Sequence, residues 1–175
     1  MATFFRERLE FYLKDVCGYA YDVVKAVLGA DAEDVVDALQ RAEAVKQVLH
    51  LPEFQAIGAA CKRMRNILKQ AAEKGIAPAA SFEDLPNSAQ EEKDLAAYVE
   101  VNGPKVEVLR KKKEYGEALT LLSTAREPVD AFFDKVMVMV EDAKLRANRL
   151  ALLRTLLKEF STIADFSEIV TEGKS

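Results

Sequence analysis

The sequence predicts an all-α fold, a helical bundle of about seven or eight helices. Three observations carry that reading. Apolar residues recur at three- and four-residue intervals through most of the chain. Glycine (7) and proline (5) are scarce among 175 residues, which disfavours a turn-rich β sandwich or barrel. Alanine, leucine, glutamate and lysine, all good helix formers, are abundant. The length suits a single domain, residues 1–175. Half of the residues are hydrophobic, enough for a packed core and too many for whole-chain disorder.

Each helix has its own signal. Phe5, Leu9, Tyr12, Leu13 and Val16 share one helical face, and Gly18 ends that helix. Val23, Val24, Val27 and Leu28 form a short second helix that stops near Gly29. Asp31 or Asp34 caps a third, with Val35, Val36, Leu39, Ala42, Val45, Val48 and Leu49 on one side. Pro52 suits the first turn of a fourth, striped by Phe54, Ile57, Cys61, Met64, Leu68 and Ala71. Residues 75–87 read as a loop. Ser88 and Glu91 form a capping box for a fifth helix, expected to end near Val101 because Asn102-Gly103-Pro104 should break it.

A sixth helix carries Val106, Leu109, Tyr115, Leu119 and Leu122. Pro128 opens a seventh, with Val129, Phe132, Phe133 and Val136. Residues 136–140 alternate valine with methionine, but their helical flanks favour a buried helix segment over a strand. The last helix carries two leucine-rich tracks, as a central helix packed on several neighbours would.

Lys+Arg 25 against Asp+Glu 29 gives a net charge of −4, which excludes a uniformly basic nucleic-acid binder but not a patchy one. The most informative basic group lies on the fourth helix. Lys62, Asn66 and Lys69, at i, i+4 and i+7, point away from its apolar stripe, and Arg63 and Arg65 flank them. An amide can bond a base edge and cations can hold phosphates. Spacing alone favours a plainer reading, a solvated amphipathic face. Arg110, Lys111, Lys112 and Lys113 wrap around a helix and have Glu107, Glu114 and Glu117 within reach. On the last helix Arg146 and Arg149 stand near the N-terminus, where cations oppose the helix dipole. Pairing with Asp134, Glu141 or Asp142 is the expected compensation. Glu141 and Asp142 themselves read as the dipole-complementing start of that helix.

Catalytic chemistry has little to work with. No glycine-rich phosphate loop is present, and His50 is the single histidine, read as a cap or surface residue. Cys17 and Cys61 form no CxxC pair and suit a reducing compartment. Both are expected on or near apolar faces, as inert thiols. No catalytic, metal or cofactor site is expected in this chain. Most aromatics fall in helical stripes and read as core; Tyr19 and Tyr21 sit at a helix junction, where a ring can face solvent. No apolar run approaches the roughly 18 residues that span a bilayer. The charged start MATFFRERLE lacks a signal-peptide core, so a soluble, cytoplasmic protein without a membrane partner is expected.

One stretch goes beyond pattern. Residues 128–140 (PVDAFFDKVMVMV) followed by 141–153 (EDAKLRANRLALL) resemble the C-terminal region of the bacterial glycyl-tRNA synthetase β-subunit family. Residues 8–28 (from Arg8-Leu9 through Gly18 and Asp22 to Ala26-Val27-Leu28), 62–68 (KRMRNIL) and 115–119 (YGEAL) resemble further blocks of that family in the same order. The acidic stretch 76–100 has no strong counterpart. The resemblance implies a C-terminal fragment of a longer subunit, folded as a DALR-like helical anticodon-binding domain of the kind also found in arginyl-tRNA synthetases. It implies recognition of the anticodon stem and loop of tRNA(Gly), in support of ATP-dependent attachment of glycine. It places ATP and glycine elsewhere in the whole enzyme, with the α subunit as partner and DNA excluded. Lys62, Arg63 and Asn66 fall in a family block and become tRNA-binding candidates, with Arg65 and Lys69 beside them. Arg8, off the first helix's apolar face, is a further candidate. Composition alone prefers the alternative, a non-catalytic helical interaction or structural module.

Overall fold

Local signals place most helix boundaries. The Asp34 carboxylate accepts from the Asp37 backbone N–H (2.8 Å) and opens α3, Val35–Val48. Pro52 occupies the first turn of α4, Pro52–Glu73. The Asp142 carboxylate accepts from the N–H groups of Lys144 and Leu145 (both 3.0 Å) and opens α8, Ala143–Phe160. Those backbone bonds hold the Asp142 carboxyl below its ordinary pKa. The computed structural model describes residues 3–32 and 34–170. Among them the remaining α-helices are α1 (Thr3–Phe11), α2 (Tyr21–Leu28), α5 (Gln90–Lys111), α6 (Tyr115–Ser123) and α7 (Arg126–Lys135), and there is no strand. A π-helical turn (Tyr12–Val16) extends α1, and a 3₁₀ turn (Phe166–Glu168) follows α8.

The two-track helix is central, as its leucines imply. Leu145, Leu150, Leu152, Leu153, Leu156 and Phe160 of α8 are all buried, and α8 packs on α4 and α5. α5 packs on α6 and α7, and α3 on α2 and α6. The 3₁₀ turn seats Phe166 against Phe54 of α4, with ring centroids 5.6 Å apart. A buried ion pair ties distant segments together. Arg41 Nε donates to Asp37 (3.0 Å), and Arg41 Nη1 donates to the carbonyls of Thr162 and Ile163 (both 2.9 Å). The Tyr115 hydroxyl donates to the second Asp37 oxygen. Every member has a partner, the condition under which a buried charge is tolerated. It also gives the tyrosine of the YGEAL block a structural task.

Several expectations need correction. Asn102-Gly103-Pro104 does not break α5, which runs through to Lys111. Pro104 is exposed and forfeits one backbone bond, a loss that packing on three neighbouring helices offsets. The chain instead turns at Lys113, whose φ is 58°, with Glu114 N–H returning to the Leu109 carbonyl (2.9 Å). The expected capping box does not form: only its glutamate half is present, one residue on, where Glu92 accepts from the Ala89 N–H (2.6 Å), while Ser88 Oγ accepts from Leu85 N–H. Residues 136–140 are not helical. Val136 is extended and its alternation is real, with Val136 and Val138 buried and Met137 exposed.

On α1 and the π turn only Leu9 and Leu13 are buried; Phe5, Tyr12 and Val16 of the expected face are exposed. Cys17 is likewise exposed, which corrects its placement on an apolar face. Gly18 has φ +75° and so ends this segment as expected. Gly29 is needed for a different reason: a Cβ there would lie 2.6 Å from Asp165 Cβ.

Candidate nucleic-acid interface

The α4 stripe is buried as its spacing requires, through Phe54, Ile57, Cys61, Met64 and Ala71. Burial pushes the Cys61 thiol up to about 12, which keeps it protonated and unreactive. The opposite face divides into two groups. Lys62 Nζ donates to the Ile169 carbonyl (2.6 Å), and Arg65 pairs with Asp165 (2.8 Å). Asp165 also accepts from Ser167 Oγ (2.6 Å), while its own N–H donates to the Ala26 carbonyl (2.7 Å). Lys62 and Arg65 thus fasten the C-terminal segment 165–169 onto α4. Arg63, Asn66 and Lys69 are exposed and form no hydrogen bond or ion pair with the described residues.

Arg63 is nevertheless positioned. Its guanidinium lies 4.3 Å from the centroid of the Phe133 ring, a cation–π contact. Arg63, Phe133, Asp134, Lys135, Val136 and Met137 line an open cleft of about 260 Å³. The cleft joins the KRMRNIL and PVDAFFDKVMVM blocks, which lie sixty residues apart in the chain. Sequence reasoning missed it, and its one legible signal was the valine–methionine alternation set aside for a helix. Arg8 stands apart from this group. It stacks on Phe4 (5.4 Å) and lines an apolar groove of about 420 Å³ with Phe5, Phe11 and Tyr12 on α1 and the π turn, to which α4 contributes nothing.

The cations of α8 have different work. Arg149 pairs with Glu92 of α5 (3.0 Å) in a buried contact and donates to the Met137 carbonyl (2.6 Å). Arg146 donates to the Val140 carbonyl (3.2 Å). Neither pairs with Asp134, Glu141 or Asp142: Asp142 caps α8 instead, and both arginines end on carbonyls of the connector 136–140. Asn148 clamps Glu83, accepting from its N–H and donating to its carbonyl (both 2.8 Å). Arg154 donates to the carbonyls of Ala79 and Ala80 (2.8 and 2.9 Å). The loop before α5 and the connector before α8 are therefore both held by α8. At the end of α5, Arg110 forks onto Glu107 (2.9 and 2.6 Å), and Lys111 reaches the same carboxylate (3.5 Å). The Glu107 carboxyl is consequently held below its ordinary pKa, chiefly by Arg110. Among the described residues no cluster of three His, Cys, Asp or Glu could hold a metal ion, and no helix is long and apolar enough to cross a membrane.

The chain is 54% identical over 174 residues to the glycine–tRNA ligase beta subunit of Acidobacterium capsulatum, an alignment covering 96% of the chain and 24% of that protein. It is 40% identical over 170 residues to the same subunit from Syntrophus aciditrophicus (97% and 24%), and 43% identical over 152 residues to that of Acinetobacter baylyi (86% and 21%). The chain therefore spans about a quarter of the length of the curated relatives it matches. Residues 57–169, which carry the α4 face, the Arg63 cleft and the α8 clamps, match the DALR anticodon binding domain, and the chain belongs to that family.

Proposed function

We propose that this chain is the anticodon-gripping part of a glycine–tRNA ligase β subunit. It holds the anticodon stem and loop of tRNA(Gly) while ATP-dependent activation of glycine takes place elsewhere, with the α subunit as partner, in the cytoplasm. One observation carries the reading. On a single helix face the fold uses Lys62 and Arg65 to fasten its own C-terminal segment, yet leaves Arg63, Asn66 and Lys69 open to solvent. Lys69 supplies a charge for phosphate, and Asn66 supplies an amide that matches a base edge. Lys62 and Arg65 serve this interface indirectly, by setting the face on which the open groups stand.

The test is a titration of this chain with a fluorescent anticodon stem-loop of a bacterial glycine tRNA, native and anticodon-swapped, across a salt series. Native RNA should bind more tightly than swapped RNA, with affinity falling steeply as salt rises. Lys69→Ala should weaken both RNAs alike and flatten the salt slope by about 0.7, the share of one phosphate contact on a single strand. Asn66→Ala should narrow the gap between them. Salt-insensitive affinity, equal to that for an uncharged polymer, would refute the proposal.

The second reading, an interaction module, finds support at the other end of the molecule. Phe4, Phe11 and Val16 are largely exposed on α1 and the π turn, and Phe11 and Val16 line the groove there. The charges there, Arg6, Arg8 and Lys14 against Glu7, Glu10 and Asp15, cancel. An aromatic surface of no net charge suits protein better than RNA. This end is where the rest of a longer polypeptide, or the α subunit, fits.

A further inference from the structure

We infer that the cleft between α4 and the connector 136–140 is a seat for one unpaired nucleobase, with the Arg63 guanidinium and the Met137 side chain as its stacking surfaces. The inference rests on the RNA-binding reading above and assigns it a second kind of contact, to a base face instead of to phosphate. Three observations converge. The Arg63 guanidinium is already laid over Phe133 at 4.3 Å. Arg63 is nonetheless an exposed residue, so solvent and a ligand can reach the side chain from the cleft. A planar, delocalised cation in that position stacks on a base, and its conformational freedom is largely spent before the RNA arrives.

Met137 is the second observation. A single exposed methionine needs no explanation by itself, but this one is presented on a fixed backbone. It is 71% exposed between Val136 and Val138, which are 5% and 6% exposed. Its carbonyl is held by the buried Arg149 (2.6 Å), and Val140 three residues on is held by Arg146 (3.2 Å). The polarisable thioether suits contact with an aromatic face. The third observation is the polar rim. Asp134 and Lys135 are exposed beside the ring and place an acceptor and a donor within the same cleft. Arg63 and Lys135 against Asp134 leave a net positive mouth. On α4, Asn66 stands one turn beyond Arg63, so the seat and the open polar face are continuous.

The experiment uses this chain and a set of glycine-tRNA anticodon stem-loops, one intact and the others each lacking one loop base. Met137→Ala and Arg63→Lys should each weaken the intact stem-loop by roughly 5- to 20-fold, the lower part of the range for base stacking. Arg63→Lys keeps the charge, so its salt slope should match that of the unaltered chain. At one loop position, base removal should weaken the unaltered chain by a similar factor and cost the variants nothing more, because both changes delete the same contact. Met137→Leu should restore most of the affinity lost in Met137→Ala. Variant losses that add to the abasic losses at every position would overturn the inference. Full affinity in both variants, with Lys69→Ala still weakening binding, would overturn it while leaving the anticodon reading intact and reassigning Met137 to a protein contact. No salt-dependent binding by the unaltered chain would bring down both.

Discussion

Helices α4 and α8 are both studded with basic residues, yet dispose of their charges differently. On α8, Arg146, Arg149 and Arg154 all end on acceptors of this chain, and Asn148 clamps a backbone segment 65 residues away. On α4, Lys62 and Arg65 are engaged, whereas Arg63, Asn66 and Lys69 are left to solvent. Position explains the difference. α8 runs through the centre, so its side chains meet loops and connectors whose carbonyls lack helical partners. α4 has one face turned outward, where the segment 165–169 engages Lys62 and Arg65 and the Phe133 ring meets Arg63, and no acceptor among the described residues reaches Arg63, Asn66 or Lys69. A cation in a family motif is therefore no sign of a ligand until its acceptors are known.

The sharpest way to break this comparison is at Arg149. Its partner Glu92 is fully buried, so Arg149→Ala leaves a carboxylate uncompensated in the core and should destabilise the fold by about 3–5 kcal/mol. Replacing both, as Arg149→Met with Glu92→Leu, should recover much of the loss, since an apolar pair of similar size is often as stable. Urea unfolding of the three variants reads both effects. A stable Arg149→Ala that no longer binds the stem-loop would move α8 into the RNA interface and erase the contrast with α4.

Asn148 comes next. Its amide satisfies both backbone groups of Glu83, and Asn148→Ala should cost about 0.5–1.5 kcal/mol, since both bonds are lost but Glu83 is exposed and water can replace them. The loss is local in origin, so amide exchange at Glu83 should accelerate well before the α8 core opens. Unchanged exchange at Glu83 would show that the loop before α5 is held by other means.

Short-range chemistry made much of the fold legible. Asp34, Pro52, Gly18 and Asp142 act within one turn of themselves, and the leucine tracks of α8 announced a central helix. The misreadings share a cause, distance along the chain. Pro104 reads as a breaker until the three helices that hold α5 together are in view. Residues 136–140 read as helix because their flanks are helical, although two buried valines and a pinned carbonyl decide the matter. Arg149 reads as a partner of nearby carboxylates, but Glu92 lies 57 residues away. That glutamate sits in the acidic stretch 76–100, which had no strong counterpart in the family blocks and so carried no expectation of a buried role. At the candidate interface, spacing identified the outward face of α4. It could not show that Lys62 and Arg65 are claimed by residues 165–169, nor that Phe133 lies beneath Arg63. On α1 the apolar periodicity is real, but periodicity does not say whether this chain supplies the cover.

The smallest expected effect tests the same idea with the opposite charge. Glu159 sits near the C-terminus of α8, where a carboxylate meets the unfavourable end of the helix dipole. It lies against Gly103 of α5 and forms no ion pair among the described residues. Partial burial raises its pKa, the like charge of Glu107 adds to the rise, and Lys158 opposes it. A carboxyl whose folded pKa exceeds its unfolded value binds its proton more tightly in the folded state. Its contribution is therefore favourable below the unfolded value and is lost as pH rises through the folded one. At neutral pH the ionised group is a net cost, and Glu159→Gln should stabilise the fold there. Part of the side chain still reaches solvent, so screening holds the gain below about 0.5 kcal/mol. Melting curves of both proteins at neutral pH and near pH 4 should show the advantage of the variant shrinking toward acid, where the glutamate is already protonated. An advantage that grows toward acid, or a variant less stable at neutral pH, would mean that Glu159 is compensated as fully as the arginines of its own helix.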